Sequence, residues 1–192
     1  MLIIRHRVNT VGELAKVPHG FGIEIDLRSR GRELILQHEA FRDGERFEDL
    51  LRNYRHSFLI VNTKEDGLEE AAQKLLRRHR VHRYFFLDLS FPAMVKLAKK
   101  GERRIAVRFS EYESVESCLA MKNKADWVWV DCFKKMPLNK PHYLLLKRHF
   151  KLCIVAPELQ GHPEKQTPAF RKRLAHFEID AVCTKHPLLW EK

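Results

Sequence analysis

The sequence predicts an α/β fold: a compact (β/α)8 TIM-type barrel with short loops and a small β-hairpin arm after the second strand. Two observations carry this expectation. Eight short apolar runs recur along the chain, and the segments between them have helical spacing. Most runs are continuous rather than alternating, as in Phe58-Leu59-Ile60-Val61 and Tyr84-Phe85-Phe86-Leu87. Continuous runs suit parallel strands buried on both faces. Strand alternating with helix argues for a parallel sheet, and eight such units argue for a ring. The chain has 192 residues, whereas such barrels rarely fall below about 200. Loops must therefore be short and at least one helix stunted. An open doubly wound sheet is the alternative. No repeat, linker or composition break divides the chain, so residues 1–192 are expected to form one domain.

The expected strands are 2–5, 22–27, 57–62, 84–88, 104–109, 126–131, 151–156 and 180–184. A further run at 33–37 follows Arg30-Gly31 and reads as a hairpin arm on the second strand. After the first strand, 10–16 has room for only a short helix. Segment 65–80 carries Leu68, Ala71, Ala72, Leu75 and Leu76 on one face, with charges opposite. Segment 92–100 opens with Pro92 and stops at Gly101, the usual helix asymmetry. Segments 114–122, 141–149 and 168–177 fit the same role.

Hydrophobic residues at 44% and charged residues at 32% exclude a disordered chain. No apolar run approaches the roughly 20 residues of a membrane helix. The start, Met1-Leu2-Ile3-Ile4-Arg5-His6, lacks the pattern of a signal peptide. Cys118, Cys132, Cys153 and Cys183 form no Cys-x-x-Cys pair. They read as small buried hydrophobes in a reducing compartment, and the chain as cytoplasmic. A net charge of +11 favours anionic partners such as phosphate esters, nucleic acid or acidic lipid, and selects none of them by itself.

In a parallel barrel the reactive groups gather at the carboxyl ends of the strands. His6 and Arg7 end the first run, Glu24 and Asp26 lie in the second, and His38 and Glu39 end the arm. Asn62 and Lys64 end the third run; Asp88, Arg108, Asp131, Glu158, Thr184 and Lys185 follow at later ends. Glu24 and Asp26, two apart on a strand, point to one face. That face would be the interior, where unpaired carboxylates are costly. An oxygen-seeking Mg²⁺ or Ca²⁺ would resolve the conflict, and so would ion pairs with Arg5, Arg7 or Lys64. His6 and His38 are placed for general acid–base work, although with 11 histidines most must be packing or surface residues. Arg7 and Lys64 could hold phosphoryl oxygens or serve as counter-charges.

These segments resemble the signature of glycerophosphodiester phosphodiesterases. His6-Arg7-Val8-Asn9-Thr10, Gly22-Ile23-Glu24-Ile25-Asp26-Leu27 and Leu34-Ile35-Leu36-Gln37-His38-Glu39 are similar to that family's His-Arg-Gly, Glu-Asn-Thr, Gly-x-x-x-Glu-x-Asp-Val and His-Asp pieces. Asn62-Thr63-Lys64 looks like its Glu-x-Lys, and Ser90-Phe91 like its Ser-Phe. Ile179-Asp180-Ala181-Val182-Cys183-Thr184-Lys185-His186-Pro187 looks like its closing Val-Asp-Gly-Ile-x-Thr-Asp-x-Pro. The resemblance implies a (β/α)8 barrel of the phosphatidylinositol-specific phospholipase C type, a divalent metal, and cleavage of a phosphodiester. It implies His6 and His38 as the acid/base pair, and Arg7 and Lys64 on the phosphate. It implies Glu24, Asp26 and Asn62 on Mg²⁺ or Ca²⁺. The chain departs from the pattern at Val8 (for Gly), Glu39 (for Asp) and Asn62 (for Glu), and it lacks an insertion between the arm and the third strand. An uncharged Asn62 lowers the expected metal affinity. Asp131 or Glu158 could add an oxygen, without support from any motif.

The leading expectation is a metal-dependent phosphodiesterase acting on a small anionic glycerophosphodiester-like or polyol substrate. A non-catalytic phosphate-ester binder comes second, motivated by Asn62. A nucleic-acid-binding domain comes last, because the basic residues form no recognition motif. Oligomeric state is left open.

Overall fold

A computed structural model describes residues 1–191, so Lys192, the end of the expected domain, lies outside the described residues. The strands are β1 (Leu2–Arg5), β2 (Gly22–Arg30), β3 (Glu33–Leu36), β4 (Glu45–Arg46), β5 (Leu59–Thr63), β6 (Tyr84–Leu87), β7 (Ala106–Phe109), β8 (Trp127–Val130), β9 (Lys151–Val155) and β10 (Ala181–Thr184). The helices are α1 (Val11–Leu14), α2 (Phe47–Asn53), α3 (Glu69–Arg78), α4 (Phe91–Lys99), α5 (Val115–Ala120), α6 (Lys140–Lys147) and α7 (Thr167–Leu174). Single 3₁₀ turns at Pro157–Gln160, Glu164–Gln166 and Pro187–Trp190 complete the chain.

The sheet curls. Parallel pairing runs β6-β5-β2-β1-β10-β9-β8-β7. Between the two ends of that path, β6 and β7, stand one parallel bridge from Phe86 to Ile105 and a hydrogen bond from the Phe86 N–H to the Arg104 carbonyl at 2.8 Å. β3 pairs antiparallel with the end of β2, and β4 with β3. Gly31, at φ 60°, supplies the left-handed residue of the β2–β3 turn.

The period-2 pattern sorts the side chains. Ile23, Ile25 and Leu27 pack with Leu14, Leu50, Leu76, Leu97, Leu146 and the other helix residues in the larger core. The second core contains strand residues and no α-helical ones, among them Ile4, Ile60, Phe85, Trp127, Trp129, Cys153, Val155 and Cys183, and so fills the inside of the curl. Phe58, Phe85 and Trp127 stack there with centroids 5.0–5.7 Å apart. These rings occupy the starts of their strands, so the interior is sealed with apolar volume at one end and polar at the other. All four cysteines are buried and unpaired.

The boundaries differ from expectation where the backbone turns. α3 begins at Glu69 rather than 65, because Gly67 takes φ 96° just before it. β6 stops at Leu87, because Asp88 sits at φ 63°. α2 was not expected at all. It is short, and its N-cap, Arg46, makes no capping hydrogen bond. The stunted helices are α1, with four residues, and the 3₁₀ turn after β10.

Candidate active site

The chain leaves β1 through His6 and Arg7. Arg7 takes a left-handed conformation, φ 53°, which costs an arginine about 1 kcal/mol. The twist aims its backbone N–H at Glu24 Oε2, 2.7 Å away. The next N–H, of buried Val8, donates to the Glu24 carbonyl at 2.8 Å. Glu24 and Asp26 lie on the inner face of β2, fully buried, two residues apart as the spacing requires.

Each carboxylate oxygen has a nitrogen nearby. Glu24 Oε1 accepts from Asn62 Nδ2 at 2.9 Å, and Oε2 lies 3.7 Å from His6 Nε2. Asp26 Oδ1 is 3.0 Å from Lys64 Nζ. Asp26 Oδ2 accepts from Asn9 Nδ2 at 2.8 Å and lies 3.6 Å from Arg7 Nε. Burial, then the Asp26 charge, push the Glu24 carboxyl up to about 7, against the bonds from Asn62 and Arg7. Burial, assisted by the Arg7 guanidinium, pushes His6 down to about 4, so its imidazole is neutral at neutral pH.

Six of the seven residues singled out in the sequence therefore converge: His6, Arg7, Glu24, Asp26, Asn62 and Lys64. Arg7 and Lys64 are counter-charges of Asp26; Arg5, the third candidate, makes no ion pair with either acid among the described residues. His38 stands on the arm with Nδ1 2.6 Å from Glu39 Oε1. Among the described residues no hydrogen bond or ion pair joins it to His6, Glu24 or Asp26. Its neighbour Gln37 donates its N–H to the Asp26 carbonyl at 2.9 Å, which ties the arm to the strand bearing the acids.

Asn9 is an addition. Its amide brackets Asp26, donating to Oδ2 and accepting the Asp26 N–H at 2.8 Å. The Asn-Thr piece of the motif was its only signal in the sequence. Asp131 and Glu158 do not add oxygens to the acidic pair. Asp131 is held by Arg108, Trp129 Nε1 and Gln160 Nε2. Glu158 Oε1 accepts from Thr184 Oγ1 and the Lys185 N–H. Arg108 also binds Asp88, which lies 3.7 Å from Lys64, so ion pairs continue from Asp26 along the strand ends to Asp131.

The donors at the acidic pair suit a hard divalent cation. They are two buried carboxylates plus Asn62 Oδ1, a buried oxygen without a hydrogen-bond partner. Mg²⁺ commonly uses one or two carboxylates and completes its shell with water or phosphate. Among the described residues no three His, Cys, Asp or Glu side chains form a metal-binding group, since the third donor here is an amide. Lys64 competes for Asp26 Oδ1.

No protein-family model and no curated sequence matches the chain. Solved structures do. A glycerophosphodiester phosphodiesterase from Agrobacterium tumefaciens superposes with a TM-score of 0.74 at 14% identity, covering 99% of both chains. The fold is that of the glycerophosphodiester phosphodiesterases. A second chain from that bacterium gives a TM-score of 0.71 at 14% identity, covering 98% of this chain and 95% of that one. A glycerophosphoryl diester phosphodiesterase from Parabacteroides distasonis gives 0.68 at 14%, covering 98% and 84%. Within this glycerophosphodiester phosphodiesterase fold, the residue before Val8, Arg7, is the left-handed one, and Asn62 bonds to Glu24.

Proposed function

We propose that the chain is a phosphodiesterase cleaving a small glycerophosphodiester-like or polyol phosphodiester, with Mg²⁺ or Ca²⁺ held by Glu24, Asp26 and Asn62. The sheet is read as a closed (β/α)8 barrel with its seam at the Phe86–Ile105 bridge. β3 and β4 form its hairpin arm. The observation that carries the reading is the meeting of His6, Arg7, Glu24, Asp26, Asn62 and Lys64 at the strand ends of this fold.

When bound, the cation neutralises charge developing on a phosphoryl oxygen. Arg7 and Lys64 orient the phosphate, the first through its planar fork and the second as a point charge. His6, neutral at neutral pH and with Nε2 3.7 Å from Glu24 Oε2, takes the proton of the attacking oxygen. The phosphorus–ester bond breaks, and the departing alkoxide takes a proton from His38. Glu39 holds His38 Nδ1 and leaves Nε2 for that transfer. Attack by water gives a monoester and an alcohol; attack by a neighbouring substrate hydroxyl gives a cyclic phosphate.

Purified protein with Mg²⁺ or Ca²⁺ and a panel of glycerophosphodiesters tests the reading. Turnover is expected, falling on the order of 10²–10⁴-fold in His6→Ala and in His38→Ala. Absence of turnover, or variants as active as wild type, refutes it. The second reading, a phosphate-ester binder without catalysis, draws on Asn62 and on the Lys64–Asp26 pair. Calorimetric binding of a phosphodiester with no divalent-dependent hydrolysis would support it instead.

A further inference from the structure

We propose that the end of the molecule opposite the site is a docking face for an anionic lipid bilayer. The strands that carry the site run parallel, so every helix-to-strand connection lies at the far end from it. Those connections carry exposed bases one after another: Lys16, Arg55, Arg80, Lys122 and Arg148 follow α1, α2, α3, α5 and α6. Among the described residues none of the five has a carboxylate partner. Of the acids in these connections, Glu102 is buried against Arg104, Asp126 pairs with Arg103 at 3.0 Å, Asp180 pairs with Lys147 at 2.7 Å, and Glu178, exposed, lies 4.0 Å from the same Lys147. The site end, by contrast, intersperses Glu65, Asp66, Glu111 and Glu113 with its bases. Five exposed and unpaired bases thus stand together at one end, one after each of five helices.

Helix dipoles explain only part of this. They favour cations in the last turn and fade beyond it, whereas Arg55, Arg80 and Lys122 lie past the helix ends. A ring of free cations around a blunt end meets a flat anionic layer all at once. Nucleic acid fits it less well. The exposed aromatics that could stack on bases, Phe41, Phe91 and Tyr112, are all at the site end. The helices terminate at the basic end, and none projects to enter a groove. Docked this way, the molecule holds its site facing away from the lipid and takes substrate from solution.

Co-sedimentation of the full chain with vesicles tests the proposal independently of any turnover. Phosphatidylcholine vesicles containing phosphatidylserine should retain the protein at low salt and release it as salt rises, and pure phosphatidylcholine should not retain it. A basic residue near an anionic surface contributes about 1 kcal/mol. Each of Arg80→Glu, Lys122→Glu and Arg148→Glu should therefore weaken partitioning roughly fivefold or more, and their combination multiplicatively. Arg42→Glu with Lys135→Glu, at the site end, should leave partitioning within about twofold beyond the loss of net charge. Equal retention by both vesicle types overturns the proposal. So does equal weakening by the site-end pair, or tighter binding of single- or double-stranded oligonucleotides in the same buffer.

Discussion

Glu102 offers a test of how the curled sheet is held where its pairing is thinnest. Its buried carboxylate accepts from Gln73 Nε2 of α3 at 2.8 Å and from the Tyr84 hydroxyl of β6 at 3.0 Å. It also accepts from the Arg104 backbone at 2.9 Å and from the Arg104 guanidinium at 2.6 and 2.7 Å. Arg104 lies beside Ile105, partner in the single bridge between β6 and β7. Burial pushes the Glu102 carboxyl up, but the Arg104 bonds outweigh it and hold the group at about 2 against an ordinary 4.5. A depression of that size corresponds to about 3 kcal/mol of folding stability. Because the folded value is lowered, the stabilisation is complete above the unfolded value and is lost as pH falls towards about 2. Glu102→Gln keeps the shape and removes the charge. Urea denaturation should show the variant about 3 kcal/mol less stable at neutral pH, with the gap closing as wild type itself becomes protonated. Hydrogen exchange at the Phe86 amide, which crosses the bridge, should accelerate in the variant. A loss below about 1 kcal/mol at neutral pH, or one that does not change on acidification, would refute the reasoning.

Asn62→Asp should raise Mg²⁺ or Ca²⁺ affinity on the order of tenfold, because the third donor gains a charge. It should also lower the melting temperature of the metal-free protein, since a third acid joins a buried pair; thermal shifts with and without metal read both. Asn9→Ala removes both bonds to Asp26 and should cost about 2 kcal/mol in denaturant midpoints. Arg108→Met strands buried Asp131 and should cost about 3 kcal/mol by the same assay. At Gly44 an added Cβ would overlap the Leu36 carbonyl, so Gly44→Ala should spring β4 from β3. Limited proteolysis should then cut the arm faster, and turnover should fall through displacement of His38.

The strands were legible because burial on both faces leaves uninterrupted apolar runs: all eight runs correspond to observed strands, seven within two residues at each end, while β2 runs three residues further, to Arg30. α2 was hidden because Phe47–Asn53 is barely two turns long and starts at Arg46, which cannot cap it with an oxygen. The overextended α3 and β6 end at left-handed residues, Gly67 before one and Asp88 after the other. Only the glycine announces itself in sequence. At the site, residue types and spacing identified which groups meet, since i and i+2 on a strand share a face. They offered Lys64 as one of three possible counter-charges without choosing among them, and did not say that His38 turns to Glu39, because the reach of long side chains depends on strands distant in the chain. Asp131 followed the same logic: it ends β8 as expected, but Arg108 from the neighbouring strand claims it.

The four buried cysteines make the molecule its own unfolding gauge. Burial raises the Cys118 thiol to about 12 and pushes those of Cys132, Cys153 and Cys183 up as well. The reactive thiolate is therefore scarce and unreachable in the folded chain. Alkylating reagents should label Cys153 and Cys183 only when the inner layer of the curl comes apart. Mass spectrometry of labelled peptides would then time the opening of that layer separately from the helix-facing layer that shelters Cys118.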